Sequence, residues 1–221
     1  MRMTQQHKQR RLEWVRQYRA RQLRHWRHTM FSDESRFNLD YADGRVRVSR
    51  RQNERYRQTT IKQHDRYGGG SVMVWAGITY DIRTELIRLD GRVTGVWYRD
   101  EVLRPVVVPF SRRVGRRFEF QQDNARPHTA RVSADFLRNS NITVLPWPSK
   151  SPDINPIEHA WDVLGRRVRE RAVPPQNLDE LYQCLQQEWR AIPRATIRNL
   201  IRSMPRRCQA VERARGGHTR Y

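Results

Sequence analysis

Seven consecutive apolar or small residues, Val72-Met73-Val74-Trp75-Ala76-Gly77-Ile78, set the first limit on the fold. The run is short for a helix and rich in residues that suit a pleated surface, so it reads as a buried strand entered from the Gly68-Gly69-Gly70 turn. Met30 to Leu39 reads as a strand with a polar insert, and Arg45 to Ser49 as another. Glu85 to Leu89 continues the sheet, and Phe118 to Asp123 is a strand ending in a carboxylate. Ile142 to Leu145 is a short apolar strand. Between and around them the period changes. Residues 4–27 read as a basic helix with Leu12, Val15, Tyr18 and Leu23 as its apolar stripe. Thr94 to Leu103 reads as a helix stopping before Pro105, and Thr129 to Asn139 as another. After the Pro-rich turn Pro146-Trp147-Pro148-Ser149-Lys150-Ser151-Pro152 a helix starts near Pro156, and two more follow to about Arg213. Strands followed by alternating helices and strands predict an α/β fold, a mixed central sheet flanked by helices.

Charge narrows the function. The 221 residues carry 44 Lys+Arg against 23 Asp+Glu, a formal net charge of +21. An excess of this size opposes compaction and is retained for a large polyanionic partner, nucleic acid first among them. Only Lys8, Lys62 and Lys150 are lysine, and the rest are arginine, whose planar fork pairs bidentately with phosphate. The charge gathers at the ends: residues 1–30 hold nine cations against Glu13 alone, and residues 202–221 six arginines against Glu212 alone. Cys184 and Cys208 lack partners at zinc-ligand spacing, which predicts neither a disulfide framework nor a structural zinc site and suits a reducing compartment. No apolar stretch approaches the ~20 residues needed to span a bilayer, so no membrane partner is expected.

Three acids are the candidates for chemistry. Asp33 falls on the first strand, Asp123 at the C-terminal end of a later strand, and Glu158 in the first turn of the helix after the Pro-rich turn. Strand ends are where sites form in open α/β sheets. Three carboxylates brought together repel one another unless divalent cations neutralise them, which predicts Mg²⁺ or Mn²⁺. Two such ions, about 3.5–4 Å apart, activate the attacking oxygen and stabilise the leaving oxygen of an in-line displacement at phosphorus. A plainer account exists for each residue. Asp33 also suits a strand edge, Asp123-Asn124 an Asx-turn, and His128 a polar helix start. Glu158 also suits a capping box with Asn155 at the N-cap and Pro156 at the first helical position.

Four segments resemble, in order and spacing, the catalytic domain of Tc/mariner superfamily transposases. They are Phe31-Ser32-Asp33-Glu34-Ser35-Arg36-Phe37, Gly69-Gly70-Ser71-Val72-Met73-Val74-Trp75, Gln121-Gln122-Asp123-Asn124-Ala125-Arg126-Pro127-His128-Thr129-Ala130 and Ser151-Pro152-Asp153-Ile154-Asn155-Pro156-Ile157-Glu158-His159-Ala160-Trp161. Thirty-four residues separate Asp123 from Glu158, the spacing of the Tc-like branch, whose third acid is Glu. The resemblance covers about Lys8 to Tyr221. It implies a ribonuclease-H-like fold and a DDE triad at Asp33, Asp123 and Glu158, which would both bind the metal and carry catalysis. It gives Asn124 and His128 supporting roles.

The implied reaction is cut-and-paste DNA transposition. Water attacks a phosphodiester at the element's ends, and the freed 3′-hydroxyl attacks target DNA, with two Mg²⁺ or Mn²⁺ ions at the acids. The implied partners are transposon ends, target DNA and a second copy of the chain in a homodimer, and the implied location is the nucleus. Arg10, Arg11, Arg36, Arg126 and Lys150 are the candidate DNA contacts. Residues 1–28 are expected to form a basic linker helix, 29–173 the catalytic core and 174–221 a helical basic tail. Relatives carry tandem helix-turn-helix units before this region. The chain is therefore expected to be a catalytic domain without its specificity module, a truncated copy holding DNA through phosphates but not base edges. The alternative is a non-catalytic basic DNA-binding relic that interferes with full-length copies.

Overall fold

The computed structural model of the chain describes residues 3–39 and 70–221. Its centre is a five-stranded sheet in the order β3-β2-β1-β4-β5. The strands are β1 (Thr29–Asn38), β2 (Ser71–Ile78), β3 (Ile87–Arg88), β4 (Glu119–Gln121) and β5 (Thr143–Val144). β1 runs antiparallel to β2 and parallel to β4, and β4 runs parallel to β5, so the sheet is mixed, as expected. The three later strands are shorter than their apolar patterns. The strand expected at Arg45 to Ser49 lies outside the described residues.

Helices cover both faces. In chain order they are α1 (Gln5–Tyr18), α2 (Leu23–Trp26), α3 (Gly95–Trp97), α4 (Val108–Val114), α5 (Arg126–Thr129) and α6 (Arg131–Asn139). They continue as α7 (Ile157–Arg169), α8 (Leu178–Ala191), α9 (Arg194–Arg202) and α10 (Met204–Arg213). The two-residue period of the strands sorts side chains between two cores. Val72, Val74, Ala76 and Ile78 of β2 join Phe31 and Phe37 of β1 in one cluster, which α1, α7, α8, α9 and α10 close. Met30 and Trp75 point the other way, into a cluster with Tyr98, Leu103, Phe120 and Leu137. The first cluster draws side chains from residues 1–28, 29–173 and 174–221 alike. Both cysteines are free and buried. Among the described residues no helix is long and apolar enough to cross a membrane.

Three departures from the sequence pattern have physical causes. The basic helix expected over 4–27 stops at Tyr18 and restarts as the single turn α2. A continuous helix would carry Trp26 about 18 Å along the axis from Trp14. Instead Trp26 is fully buried, 6.3 Å from the ring of Trp14 and 6.5 Å from that of Tyr18. The Arg21 guanidinium lies over both Tyr18 and Trp26 and completes the fold-back.

The helix expected to stop before Pro105 runs through it. Residues Tyr98–Val107 are π-helical and continue into α4. The wider turn gives a proline ring the room that an α-helix denies it at the preceding carbonyl. After α7 there are three helices rather than two, because the chain breaks again at Ser203, with Pro205 in the first turn of α10 where its missing N–H costs nothing.

The C-terminal tail is locked onto α1. Gly216 has φ +78 and donates its amide to Val211 O at 2.9 Å. A Cβ there would stand 2.1 Å from the carbonyl oxygen of Lys8. Gly216→Ala therefore combines left-handed strain with a backbone clash and should lower unfolding stability by about 1–3 kcal/mol in urea titration.

Candidate active site

The register of β1 with β4 pairs Phe31 with Gln121. Two residues further along, the same parallel alignment brings Asp33 and Asp123 to matching positions where β4 has ended. Asp33 shares the odd-numbered face of β1 with Phe31 and Phe37, the face covered by α7, whose first turn carries Glu158. Asp33, Asp123 and Glu158 line one cavity of about 320 Å³, together with Asn124, Trp147, Lys150 and Asn155.

Electrostatics inside the cavity is unfavourable for bare carboxylates. Burial, with the charges of Glu158, Glu34 and Asp123, pushes the Asp33 carboxyl up to about 8. Burial and Asp162 raise Glu158 as well, against the hydrogen bond it shares with Asp33 and the charge of Arg207. Asp123 points elsewhere. Its Oδ1 accepts from the Ala125 amide at 2.8 Å and meets His128 Nδ1 at 2.6 Å. Burial works to raise Asp123, but these bonds hold it below the ordinary carboxylate value. The three acids thus reach one cavity, yet among the described residues no three His, Cys, Asp or Glu side chains stand in a metal-holding arrangement.

The even-numbered face of β1 adds Glu34, a residue that sequence reasoning passed over. His128 is buried against the Tyr98 ring, centroids 4.4 Å apart, with Nε2 3.2 Å from Glu34 Oε1. Burial alone would lower the His128 pKa, but hydrogen bonds with Asp123 and Glu34 raise it to about 9. The Tyr98 hydroxyl donates to Gln122 at 2.9 Å and braces the same turn. The signal for Glu34 was its place next to Asp33 in an alternating strand, which sends the two acids to opposite faces.

Glu158 does not form the capping box that was the plainer account of it. The Asn155 amide, which that glutamate would have to reach, donates instead to Pro152 O at 2.8 Å. Pro156 stands at the N-cap in helical geometry. The Asn155 side chain donates to Ser32 O at 3.1 Å and so fastens the start of α7 to β1 beside Asp33. Asn124 Nδ2 donates to Trp147 O at 2.9 Å and holds the opposite wall.

Behind the Pro-rich turn sits a buried ion pair. Arg11 was expected to touch DNA, and the structure corrects this: it is fully buried and all its donors are engaged. Nη1 and Nη2 grip Asp153 at 2.7 Å each, Nη1 also reaches Lys150 O, and Nε and Nη2 reach Gly216 O and Gly217 O. Thr219 donates to the same carboxylate, and buried Arg207 donates to Asp153 O and approaches His159 Nδ1 at 3.1 Å. Of the other candidate DNA contacts, Arg10, Arg36 and Arg126 are exposed, and Lys150 is half-buried in the cavity wall at φ +57.

Residues 28–182 match the family described as DDE superfamily endonuclease. The chain is 38% identical over 216 residues to the transposable element Tcb1 transposase of Caenorhabditis briggsae, covering 96% of this chain and 77% of that one. The Tc1 transposase of Caenorhabditis elegans gives the same identity and coverage. The chain belongs to the DDE endonuclease superfamily, as a transposase of the Tc1/mariner type. Its fold is also that of the catalytic domain of Mos1 mariner transposase, with a TM-score of 0.74 at 17% identity, over 99% of this chain and 98% of that one. Against the Mos1 transposase paired-end complex with left transposon end the TM-score is 0.80, and this chain spans 65% of that longer one. The ribonuclease-H-like architecture implied by the sequence resemblance is thus shared with Mos1 at low identity.

The ion pair behind the cavity of this transposase has a pH signature. Burial pushes Asp153 up, but the hydrogen bonds and charge of Arg11, with Thr219, hold it below the ordinary value of 3.8. A carboxyl whose folded pKa is depressed stabilises above its unfolded pKa and loses that contribution as pH falls through the folded value. Asp153→Ala, which strands a buried guanidinium, should cost about 3–5 kcal/mol near neutral pH. Urea midpoints should fall less steeply with acid below about pH 4 than in the parent.

Proposed function

We propose that Asp33, Asp123 and Glu158 are the catalytic carboxylates of this DDE transposase, and that they hold divalent cations, two Mg²⁺ or Mn²⁺ ions. The observation that carries the reading is that these acids, from a strand, a strand end and a helix start, line a single cavity. The donor set fits a hard cation: it is all oxygen. Two of its carboxyls share a hydrogen bond under mutual repulsion that positive charge would relieve. When bound, such cations neutralise the scissile phosphate and lower the cost of charge on the attacking and leaving oxygens.

The chain's own residues hold and orient. Asp123 Oδ1 is held by the Ala125 amide and by His128, which fixes the carboxylate at the cavity wall. His128, anchored by Glu34 on the far side, positions Asp123. Asn155 keeps Glu158 in reach of Asp33, and Asn124 shapes the wall against which the phosphodiester lies. The substrates on this reading are transposon ends and target DNA, engaged by a homodimer in the nucleus. Mos1, whose fold this chain shares, forms a paired-end complex with Mn and a strand transfer complex, which supports the reading. Arg10, Arg36, Arg126 and Lys150 are proposed phosphate contacts. Residues 1–28 and 174–221 are proposed to buttress a catalytic core at 29–173.

With Mn²⁺ or Mg²⁺ the chain should nick supercoiled or pre-nicked DNA. Asp123→Asn and Glu158→Gln should each slow this by about 100-fold or more, the loss of several kcal/mol of charge stabilisation. Equal nicking by parent and Asp123→Asn would remove the acids from the chemistry and leave the non-catalytic DNA-binding reading.

A further inference from the structure

A second concave surface lies away from the acids. Because β2 runs antiparallel to β1, with Ile78 opposite Phe31, the residues after β2 emerge at the N-terminal end of β1, away from where β4 delivers Asp123. There Tyr80 is nearly buried beneath three guanidinium groups: Arg27 at 4.6 Å, and Arg198 and Arg202 at 5.4 Å each from the ring centroid. Beside it opens a cavity of about 230 Å³, whose lining includes Arg83, Arg113, Arg190 and Arg194.

The acids of this surface are already spent. Asp81 accepts from Arg27 at 3.1 Å and from Arg198 at 3.0 Å, and Glu85 accepts from Arg190 at 2.7 Å. Arg83 is turned inward, donating to the carbonyls of Ile192 and Arg190 at the end of α8. Arg113 and Arg194 are exposed and have no acidic partner among the described residues. Guanidinium groups gathered this closely repel one another, and Asp81 and Glu85 offset only part of that repulsion.

The spacing selects the ligand. Arg194, Arg198 and Arg202 stand four residues apart on α9, one face of the helix, and span about 12 Å from first to last. Laid along a duplex axis, that covers about three base-pair steps, more than one free anion can occupy. The ring of Tyr80 is covered by arginines and not open for a base to stack, which favours a backbone over unpaired nucleotides.

We propose that this arginine surface, centred on Arg113 and Arg194 beside Tyr80, is a second DNA site of the transposase, holding the phosphate backbone of a duplex at a distance from the reacting phosphodiester. The proposal rests on the DNA-transposase reading for the identity of the polyanion. Its contacts carry no base information, so it adds affinity and orientation without sequence choice.

The test is binding of the full chain to a fluorescein-labelled duplex of arbitrary sequence, about 30 base pairs, by anisotropy at several NaCl concentrations and without divalent metal. Removing two phosphate contacts in Arg113→Ala/Arg194→Ala should reduce the slope of log K against log[NaCl] by about 2 and weaken binding about 10-fold or more at fixed salt. Arg113→Lys/Arg194→Lys, which keeps the charge, should restore most of the slope. An Ala variant with the parent's melting temperature, slope and affinity would overturn the site. Failure of the catalytic reading shows in a different assay, as nicking that survives Asp123→Asn. That outcome would leave the salt slope unchanged.

Discussion

Parallel pairing of β1 with β4 is the constraint on which the rest depends. It places Asp33 and Asp123 at matching positions along neighbouring strands, and the alternation of β1 then decides what each face sees. The odd face carries Phe31, Asp33 and Phe37 toward α7, so Glu158 meets Asp33. The even face carries Glu34 toward His128 and Tyr98, so the other side of the strand supports Asp123. A one-residue slip in this register would exchange those roles and separate the acids. The two apolar clusters that grip β1 and β2 from either side resist such a slip.

Charge is used in two ways, one inside the molecule and one outside. Arg11 and Arg207 are buried, and their donors tie α1, α10 and the last residues to Asp153, next to the helix start that bears Glu158. Both ends of the chain therefore brace the cavity, although neither supplies an acid to it. The arginines left outside, on α9 and around Tyr80, face solvent in excess of the acids beside them. A large net positive charge thus contributes to the fold through a few buried forks, and the exposed ones are the proposed contacts to DNA.

Much of this was legible in the sequence, where local pattern and tertiary need agree. The apolar run at 72–78 is a strand buried on both faces, and the α7 stripe of Ile157, Ala160, Trp161, Leu164 and Val168 is its buried side. Asp33 and Glu158 fell on the strand and helix start expected for them, while Asp123, expected to end its strand, lies two residues beyond β4. What was hidden depended on packing partners or on local backbone geometry that residue pattern does not report. Arg11 lies in a basic helix among exposed arginines, and only Asp153, 142 residues away, makes it structural. The fold-back at residues 19–22 answers to Trp26 packing on Trp14, which no helical period reports. Pro105 looked like a stop because a proline ends an α-helix, whereas a π-helical stretch accommodates it. The capping box that was the alternative for Glu158 fails because Pro152 O already takes the Asn155 amide.

The central claim is that the three carboxylates form one metal site, with Asp123 Oδ1 bonded to His128. A crystal of the chain grown with Mn²⁺ and examined by anomalous diffraction tests it most directly. The account predicts anomalous peaks in the cavity within ligand distance of Asp33, Asp123 and Glu158, with Asp123 Oδ1 still held by the Ala125 amide. Anomalous density confined to other carboxylates, or none in the cavity at saturating Mn²⁺, would contradict it.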